Sequence, residues 1–201
     1  MDSNKSLLTQ TLAISILVLN NFSGLIFSPY KVMRKISHVF DHKQVMLIFF
    51  LVFAYFYSVS FMFGHNILNF LYFLGSFFLT IVFFYGSGRL CRYQVSLSSL
   101  ISTWSYGLLP TLLWFFLTAI LFALFPPPRT QSLMGTVLSI LFVGISVSLL
   151  LWKITLIYLA IRFSLKTNAI MTGFFMIIYG VWFLPYTYAL YFFSISRVPF
   201  I

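Results

Sequence analysis

The sequence predicts an all-α polytopic membrane helical bundle with five spans and amino-terminal interfacial helices. Two observations lead to this fold class. Hydrophobic residues make up 61% of the 201 residues and charged residues 7%, whereas a soluble domain carries about 25% charged residues. The hydrophobic residues also gather in long stretches of about 20 residues, the length that crosses the hydrocarbon core of a bilayer.

Five stretches reach this length, and four of them contain no charged residue. Lipid offers no hydrogen-bonding partner to an open backbone, so each stretch is predicted to be a helix. The predicted organisation is an amino-terminal segment over 1–44, a membrane domain over 45–193 and a short tail over 194–201. The predicted spans are 45–63, 67–86, 104–125, 134–161 and 170–193.

Basic residues lie mainly in alternate connections, and this sets the predicted orientation. One set of connections holds nine Lys and Arg residues, and the opposite set holds two, Arg129 and Arg197. The positive-inside rule places the nine in the cytoplasm, together with the amino terminus. They are Lys5, Lys31, Arg34, Lys35, Lys43, Arg89, Arg92, Arg162 and Lys166.

The basic residues form no contiguous patch, so anionic lipid head groups are the predicted counter-charges, and nucleic acid is not a predicted partner. Head-group contacts are predicted at Lys31, Arg34, Lys35, Arg89 and Arg92. Aromatic anchors at the ends of the spans are predicted at Trp104, Tyr106, Tyr188 and Tyr191.

The apolar segment before the first predicted span allows two interpretations. Polar residues interrupt it, and its apolar core over 12–19 is short for a span. We therefore expect an interfacial helix, followed by a second, basic interfacial helix near 30–40 that starts at Pro29. The alternative joins 7–27 into a sixth span, which would either reverse the charge pattern of the connections or move the amino terminus to the other side.

Prolines mark the expected kinks and ends of the predicted helices. Pro110 and Pro185 lie inside spans, and each removes one backbone hydrogen bond, so each should kink its helix. The run Pro126-Pro127-Pro128 should end the third span, and the turn Gly64-His65-Asn66 should join the first two.

Titratable groups are scarce, which argues against catalysis. Asp2 and Asp41 are the two acidic residues of the chain, and no acidic side chain follows Asp41. The sequence therefore predicts no catalytic residues, no metal site and no cofactor, since metal sites need clusters of His, Cys, Asp or Glu. His38 and His42 are four residues apart and could share a helix face, but two ligands fall short of a zinc site.

Lys153 is the anomaly of the fourth predicted span. A charge inside the membrane is by default a hypothesis of function. The span is longer than a bilayer requires, however, and Trp152 suits an interface. We expect Lys153 to extend its ammonium group to the cytoplasmic head groups. The alternative is a Lys153 that faces the bundle and binds an anion or an acidic partner.

Three stretches carry a family resemblance. Leu25 to Ile36 joins an apolar turn, a proline and a basic helix. Ser105 to Pro110 contains a Tyr-x-x-x-Pro motif at the third span, and Trp152 to Ala169 joins a long fourth helix to a basic turn. In this order they resemble the Yip-one (Ypt-interacting protein) domain family of five-span membrane proteins, and the chain is similar to a minimal bacterial-type member.

The resemblance implies a non-enzymatic protein that organises membranes or partner proteins, as in trafficking. Two other functions stay open. One is a structural subunit of a larger membrane complex, such as an organelle-encoded one, and the other is a small channel or transporter component built around Lys153 and the two proline kinks. Expected partners are anionic lipids, membrane proteins or further copies of the chain. The expected location is a bacterial inner or plasma membrane, or a Golgi, ER or organelle membrane in a eukaryote. Candidate functional residues are Lys153, Tyr106, Pro110, Arg162 and Lys166.

Overall fold

In a computed structural model, residues 2–63, 68–125 and 132–192 are described, and they form eight α-helices. This confirms the all-α class, and helices occupy all five predicted spans. The predicted turn at 64–66, the proline run, Arg129, Arg197 and the tail lie outside the described residues. The helices are α1 (Asp2–Phe27), α2 (Pro29–His38), α3 (His42–Phe63), α4 (Leu68–Leu90), α5 (Leu97–Tyr106), α6 (Leu109–Leu124), α7 (Leu133–Ser164) and α8 (Ala169–Phe192).

The amino-terminal apolar segment differs from the expectation. It forms one continuous helix of 26 residues, α1, and its stretch Thr9–Phe27 is long and apolar enough to cross a membrane. Its hydroxyls do not interrupt the helix, because Ser15 donates to the carbonyl of Thr11 and Ser23 to that of Asn20. By length and composition the described part of the chain therefore holds six candidate spans, where five were predicted.

A sixth span changes the predicted position of the amino terminus. If α1 crosses the bilayer, a cysteine at Ser3 should react with a membrane-impermeant reagent on the same side as one at Leu133. A cysteine at Leu90 should react on the opposite side. The measurement uses intact cells and inverted vesicles of single-cysteine variants in a Cys91→Ser background. Labelling of Ser3 and Leu90 from the same side would restore the five-span topology.

The basic helix α2 is docked onto the bundle, whereas the sequence predicted a helix lying along the membrane. Pro29 opens it, as predicted, and its apolar side chains Met33 and Ile36 are buried. It packs against α1, α5 and α7. The ring of Tyr30 lies edge-on to Phe163 at 5.0 Å and under the guanidinium of Arg162 at 5.7 Å. The amphipathic pattern was correctly recognised, but its apolar face is covered by protein.

The third predicted span consists of two helices. A turn at Gly107-Leu108 separates α5 from α6, directly before Pro110, which confirms the predicted kink. α5 begins seven residues before the predicted start at 104, because Ser96 caps it by accepting a hydrogen bond from the Ser99 N–H. The predicted kink at Pro185 stays a prediction, since α8 continues through that residue.

The helix α7 is longer than a bilayer is thick. Its 32 residues extend about 48 Å at 1.5 Å per residue. The 20 residues from Leu133 to Trp152 already cover about 30 Å, one hydrocarbon core. The helix α7 is therefore about 18 Å longer than the hydrocarbon core of a bilayer. Trp152 donates to the carbonyl of Leu25 at 3.3 Å, which joins this part of α7 to the end of α1.

The connections that follow α4 and α7 meet at this same end of the molecule. An added Cβ on Gly88 would lie 2.5 Å from a methyl of Val95 and 2.6 Å from a methyl of Leu165, so both connections touch this glycine. The two turns are built alike: Arg92 and Lys166 both have positive φ, 61° and 52°, in the position after a helix where glycine is usual. We call this the basic end. Its exposed bases are Lys31, Arg34, Lys35, Lys43, Arg89, Arg92 and Lys166.

Candidate functional site

A cavity of about 480 Å³ lies inside the bundle, between α4, the break between α5 and α6, α7 and α8. Its size falls in the range of small-molecule sites, about 300–1,000 Å³. Its walls are mostly apolar and aromatic. The lining residues are Phe73, Ser76, Phe77, Thr80, Trp104, Gly107, Leu108, Leu150, Lys153, Ile154, Ile157, Ala160, Met176, Tyr179, Gly180, Phe183 and Leu184.

Lys153 forms part of this wall, where we expected it to extend toward head groups. Among the described residues that line the cavity, it is the one that carries a charge. The length of α7 was correctly judged, since the helix runs well past the bilayer. Lys153 lines the cavity together with residues of α4 and α8, and no sequence pattern indicated this. The extension of its ammonium group to head groups stays a prediction.

Two hydroxyl groups accompany Lys153 in the wall. The Thr80 hydroxyl donates to the carbonyl of Ser76 at 2.8 Å and lies 3.4 Å from the Tyr179 hydroxyl. Because the single proton of Thr80 is engaged, the Tyr179 O–H is the donor of this pair. The ring of Tyr179 is held by Phe84 at 5.0 Å, Trp104 at 5.7 Å and Phe183 at 4.7 Å. This packing fixes the hydroxyl at the cavity surface.

The cavity reaches the surface of the bundle beside the lipid. Three of its lining residues are large, apolar and exposed: Leu150 (51%), Ile154 (44%) and Leu184 (50%). Leu150 and Ile154 belong to α7, and Leu184 belongs to α8. The edge of the cavity at these three residues therefore lies on the apolar exterior of the bundle.

The polar groups of the wall lie among apolar ones. Along α7, Lys153 stands between Leu150 and the apolar Ile154, Ile157 and Ala160. Along α8, Tyr179 stands between Met176 and Phe183.

A buried polar network lies beside the cavity and joins α1, α3 and α5. The Tyr106 hydroxyl donates to the side-chain oxygen of Gln44. The Asn21 amide donates to that same oxygen at 3.1 Å and to the Tyr106 hydroxyl at 3.0 Å. Gln44 in turn donates to a carboxylate oxygen of Asp41 at 2.8 Å. Tyr106 is 1% exposed, so it acts inside the protein and not as the predicted aromatic anchor at the lipid surface.

Asp41 stands at the start of α3 and caps it. Its second carboxylate oxygen accepts from the backbone N–H of Lys43 at 3.0 Å. Partial burial disfavours the charged carboxylate, but the hydrogen bonds from the Gln44 side chain and from the backbone N–H groups of Lys43 and Gln44 outweigh it and lower the pKa of Asp41. The acid therefore stays ionised at neutral pH and anchors the network at the start of α3.

The other predicted residues take different positions. Pro110 is buried in the first turn of α6, next to the break that lines the cavity, while Trp104 is buried in the cavity wall. Arg162 is half-buried against Tyr30, and Lys166 is exposed. Tyr188 and Tyr191 are exposed. The predicted head-group contacts at the basic end are exposed too: Lys31, Arg34, Lys35, Arg89 and Arg92. Four residues were not identified from the sequence. Thr80 and Tyr179 line the cavity, and Asn21 and Gln44 belong to the polar network.

The described residues hold no group of three or more His, Cys, Asp or Glu side chains that could bind a metal ion. His38 ends α2 and His42 begins α3, so the two do not share a helix face as expected. Comparison of the chain with family models, with curated proteins and with solved structures found no match.

Proposed function

We propose that this integral membrane protein is a non-enzymatic binding protein that takes an apolar or amphiphilic molecule from the bilayer into its cavity. One observation carries the proposal: the cavity is lined by Lys153 and by residues next to both prolines, on which the hypothesis of a channel or transporter component was based. Lys153 lies in its wall, Gly107 and Leu108 come from the break before Pro110, and Leu184 immediately precedes Pro185.

The opening and the wall chemistry support the same function. A ligand that enters between Leu150, Ile154 and Leu184 comes from the lipid and not from water. An apolar wall with a few converging polar groups is typical of a small-molecule site. The titratable pairs and metal ligands that hydrolysis or redox chemistry would use are not among the groups lining this cavity, so binding without covalent change is the proposed activity.

Filling the cavity should abolish binding. An added Cβ on Gly180 meets no atom within 4 Å, and Gly180 lines the cavity, so Gly180→Leu should occupy the space without a clash. We expect this variant to lose most of the photolabelling that a long-chain fatty alcohol with a chain-borne diazirine gives in the native protein. The readout is the amount and position of labelled peptides in nanodiscs.

Gly173 provides the matched control. It lies on the same helix α8, a Cβ there also meets no atom within 4 Å, and it is not among the residues that line the cavity. Gly173→Leu should label like the native protein. Equal labelling of Gly180→Leu and the native protein, or label spread evenly over lipid-facing residues, would exclude the cavity as a binding site.

The Yip-type role remains a separate proposal, supported by α2 and by the break before Pro110. The docked helix α2 fixes a set of exposed bases at the basic end, which suits a protein that gathers anionic lipids or acidic partners. Native purification in mild detergent distinguishes this role from that of a structural subunit. Stoichiometric partner proteins would favour the subunit, and a lone chain or homo-oligomer would favour the Yip-type role.

A further inference from the structure

We infer that the buried polar network beside the cavity fixes the shape of the ligand site, with Tyr106 and Gln44 as positioning residues. Neither is among the described residues that line the cavity, so both act through the chain between them and the ligand. The inference rests on the proposed function and adds the residues that set the affinity of the same cavity. Three observations carry it: the place of the last turn of α5, the proline that follows it and the hydrogen bonds that hold it.

The last turn of α5 carries one residue of the cavity and one of the network. Trp104 lines the cavity, and Tyr106 belongs to the network. Two positions along a helix correspond to about 200° around its axis, so the two side chains leave the turn on nearly opposite sides. Trp104 also packs edge-on against Tyr179, with 5.7 Å between the ring centroids. A shift of Tyr106 would therefore move the cavity wall on the other side of the same turn.

Pro110 weakens the backbone support of this turn. In a continuous helix the carbonyl of Tyr106 would accept from the N–H of residue 110, and proline has no N–H. The two residues that follow Tyr106, Gly107 and Leu108, form the break and line the cavity. A Cβ on Gly107 would lie 3.1 Å from the carbonyl oxygen of Trp104, so the break packs directly on this turn. Its position thus depends on what holds Tyr106 from the side.

The network provides this lateral hold. The Tyr106 O–H donates to the side-chain oxygen of Gln44, and the Asn21 amide donates to the same oxygen and to the Tyr106 hydroxyl. Gln44 is itself fixed, because it donates to Asp41 at 2.8 Å. Since Tyr106 is buried, water cannot replace a lost partner. The close-packed side chains around it would pass any shift on to the break and to the cavity.

The test measures the affinity of the cavity in network variants. A long-chain fatty alcohol competes with its diazirine-bearing analogue for the cavity in nanodiscs, which gives a dissociation constant that does not depend on the amount of folded protein. We expect Gln44→Leu and Tyr106→Phe to weaken this affinity by about 2- to 30-fold, the range of couplings through residues that do not touch the ligand. Gln44→Leu should have the larger effect, because it leaves both the Tyr106 O–H and the Asn21 amide without their shared acceptor.

Two control variants separate positioning from stability. Gln44→Glu keeps an oxygen that accepts from Tyr106 but places a second carboxylate beside Asp41, so it should be less stable than the native protein and bind the alcohol with native affinity. Gly88→Ala should also destabilise, because of its contacts with Val95 and Leu165. Gly88 is not among the described residues that line the cavity, so this variant too should keep native affinity.

The outcomes distinguish the inference from the proposed function. Native affinity in both Gln44→Leu and Tyr106→Phe, with labelling that Gly180→Leu abolishes, would overturn the positioning role and leave the cavity as a binding site. A loss of affinity in Gln44→Glu or Gly88→Ala as large as that in Gln44→Leu would also overturn it, since affinity would then follow stability. Absence of saturable cavity labelling in the native protein would overturn both.

Discussion

Gln44→Leu should destabilise the protein by about 2–4 kcal/mol. The substitution removes the acceptor of the buried Tyr106 O–H and the donor to Asp41. A buried donor left without a partner costs about 1–3 kcal/mol, and loss of the contact to Asp41 weakens the capping of α3. The measurement is the free energy of unfolding in detergent micelles by denaturant titration.

Two further variants test whether the network is the cause. Tyr106→Phe should cost less, about 1 kcal/mol, because the Gln44 oxygen still accepts from Asn21. The double variant of Gln44→Leu and Tyr106→Phe should lose less stability than the sum of the two single losses. The Tyr106 O–H that Gln44→Leu leaves without an acceptor is absent from the double variant. Ser58→Ala, on the same helix α3, removes a hydroxyl that donates to the carbonyl of Ala54 and should change stability little. Strict additivity would contradict a shared network.

Two glycines on one helix should respond to alanine with opposite signs. At Gly88 the new Cβ would press on methyl groups of Val95 and Leu165 at 2.5 and 2.6 Å. Since both connections of the basic end pack there, we expect Gly88→Ala to destabilise by about 1–3 kcal/mol. At Gly86 the Cβ meets no atom within 4 Å, so Gly86→Ala should stabilise by about 0.5–1 kcal/mol through helix propensity.

Val95→Ala provides the compensating change. It shortens the nearer side chain, so it should recover part of the loss in the Gly88→Ala background, whereas alone it should destabilise. Unfolding midpoints of the four chains under one set of conditions give the coupling between the two positions. Equal effects of Gly86→Ala and Gly88→Ala would show that the connections do not pack on this helix as described.

The part of the fold that the sequence predicts well is the set of candidate membrane-spanning helices, because a lipid environment requires long apolar stretches. Continuous apolar stretches identified five spans, Pro29 marked the start of α2, and Pro110 marked the break in the third span. The errors in the bounds of α1 and α5 share one cause: polar residues were taken as helix boundaries. Several Ser and Thr hydroxyls of α1 and α5 bond to carbonyls of their own helix, as Ser15 does with Thr11 and Thr103 with Ser99, so such residues can extend an apolar helix.

The candidate site was predicted in part. The residues that were not predicted differ from Lys153 in that nothing in their local sequence is unusual. Lys153 stood out because a charge in an apolar run is rare. Thr80, Tyr179, Asn21 and Gln44 are ordinary residues whose roles arise from contacts between helices. Asn21 reaches Tyr106 across 85 residues and Thr80 reaches Tyr179 across 99. A single sequence carries no signal for such pairs, since hydrophobic periodicity orients one helix at a time.

The docking of α1 against α7 also sets an order of assembly during synthesis. Leu25 and its partner Trp152 are 127 residues apart, which corresponds to roughly 6–25 s of translation at 5–20 residues per second. For that interval the amino-terminal pair of helices lacks the part of its packing surface that α7 supplies. A chain truncated before α7 should therefore leave α2 more open to proteolysis than the full chain does, although α3 and α5 still contact the pair.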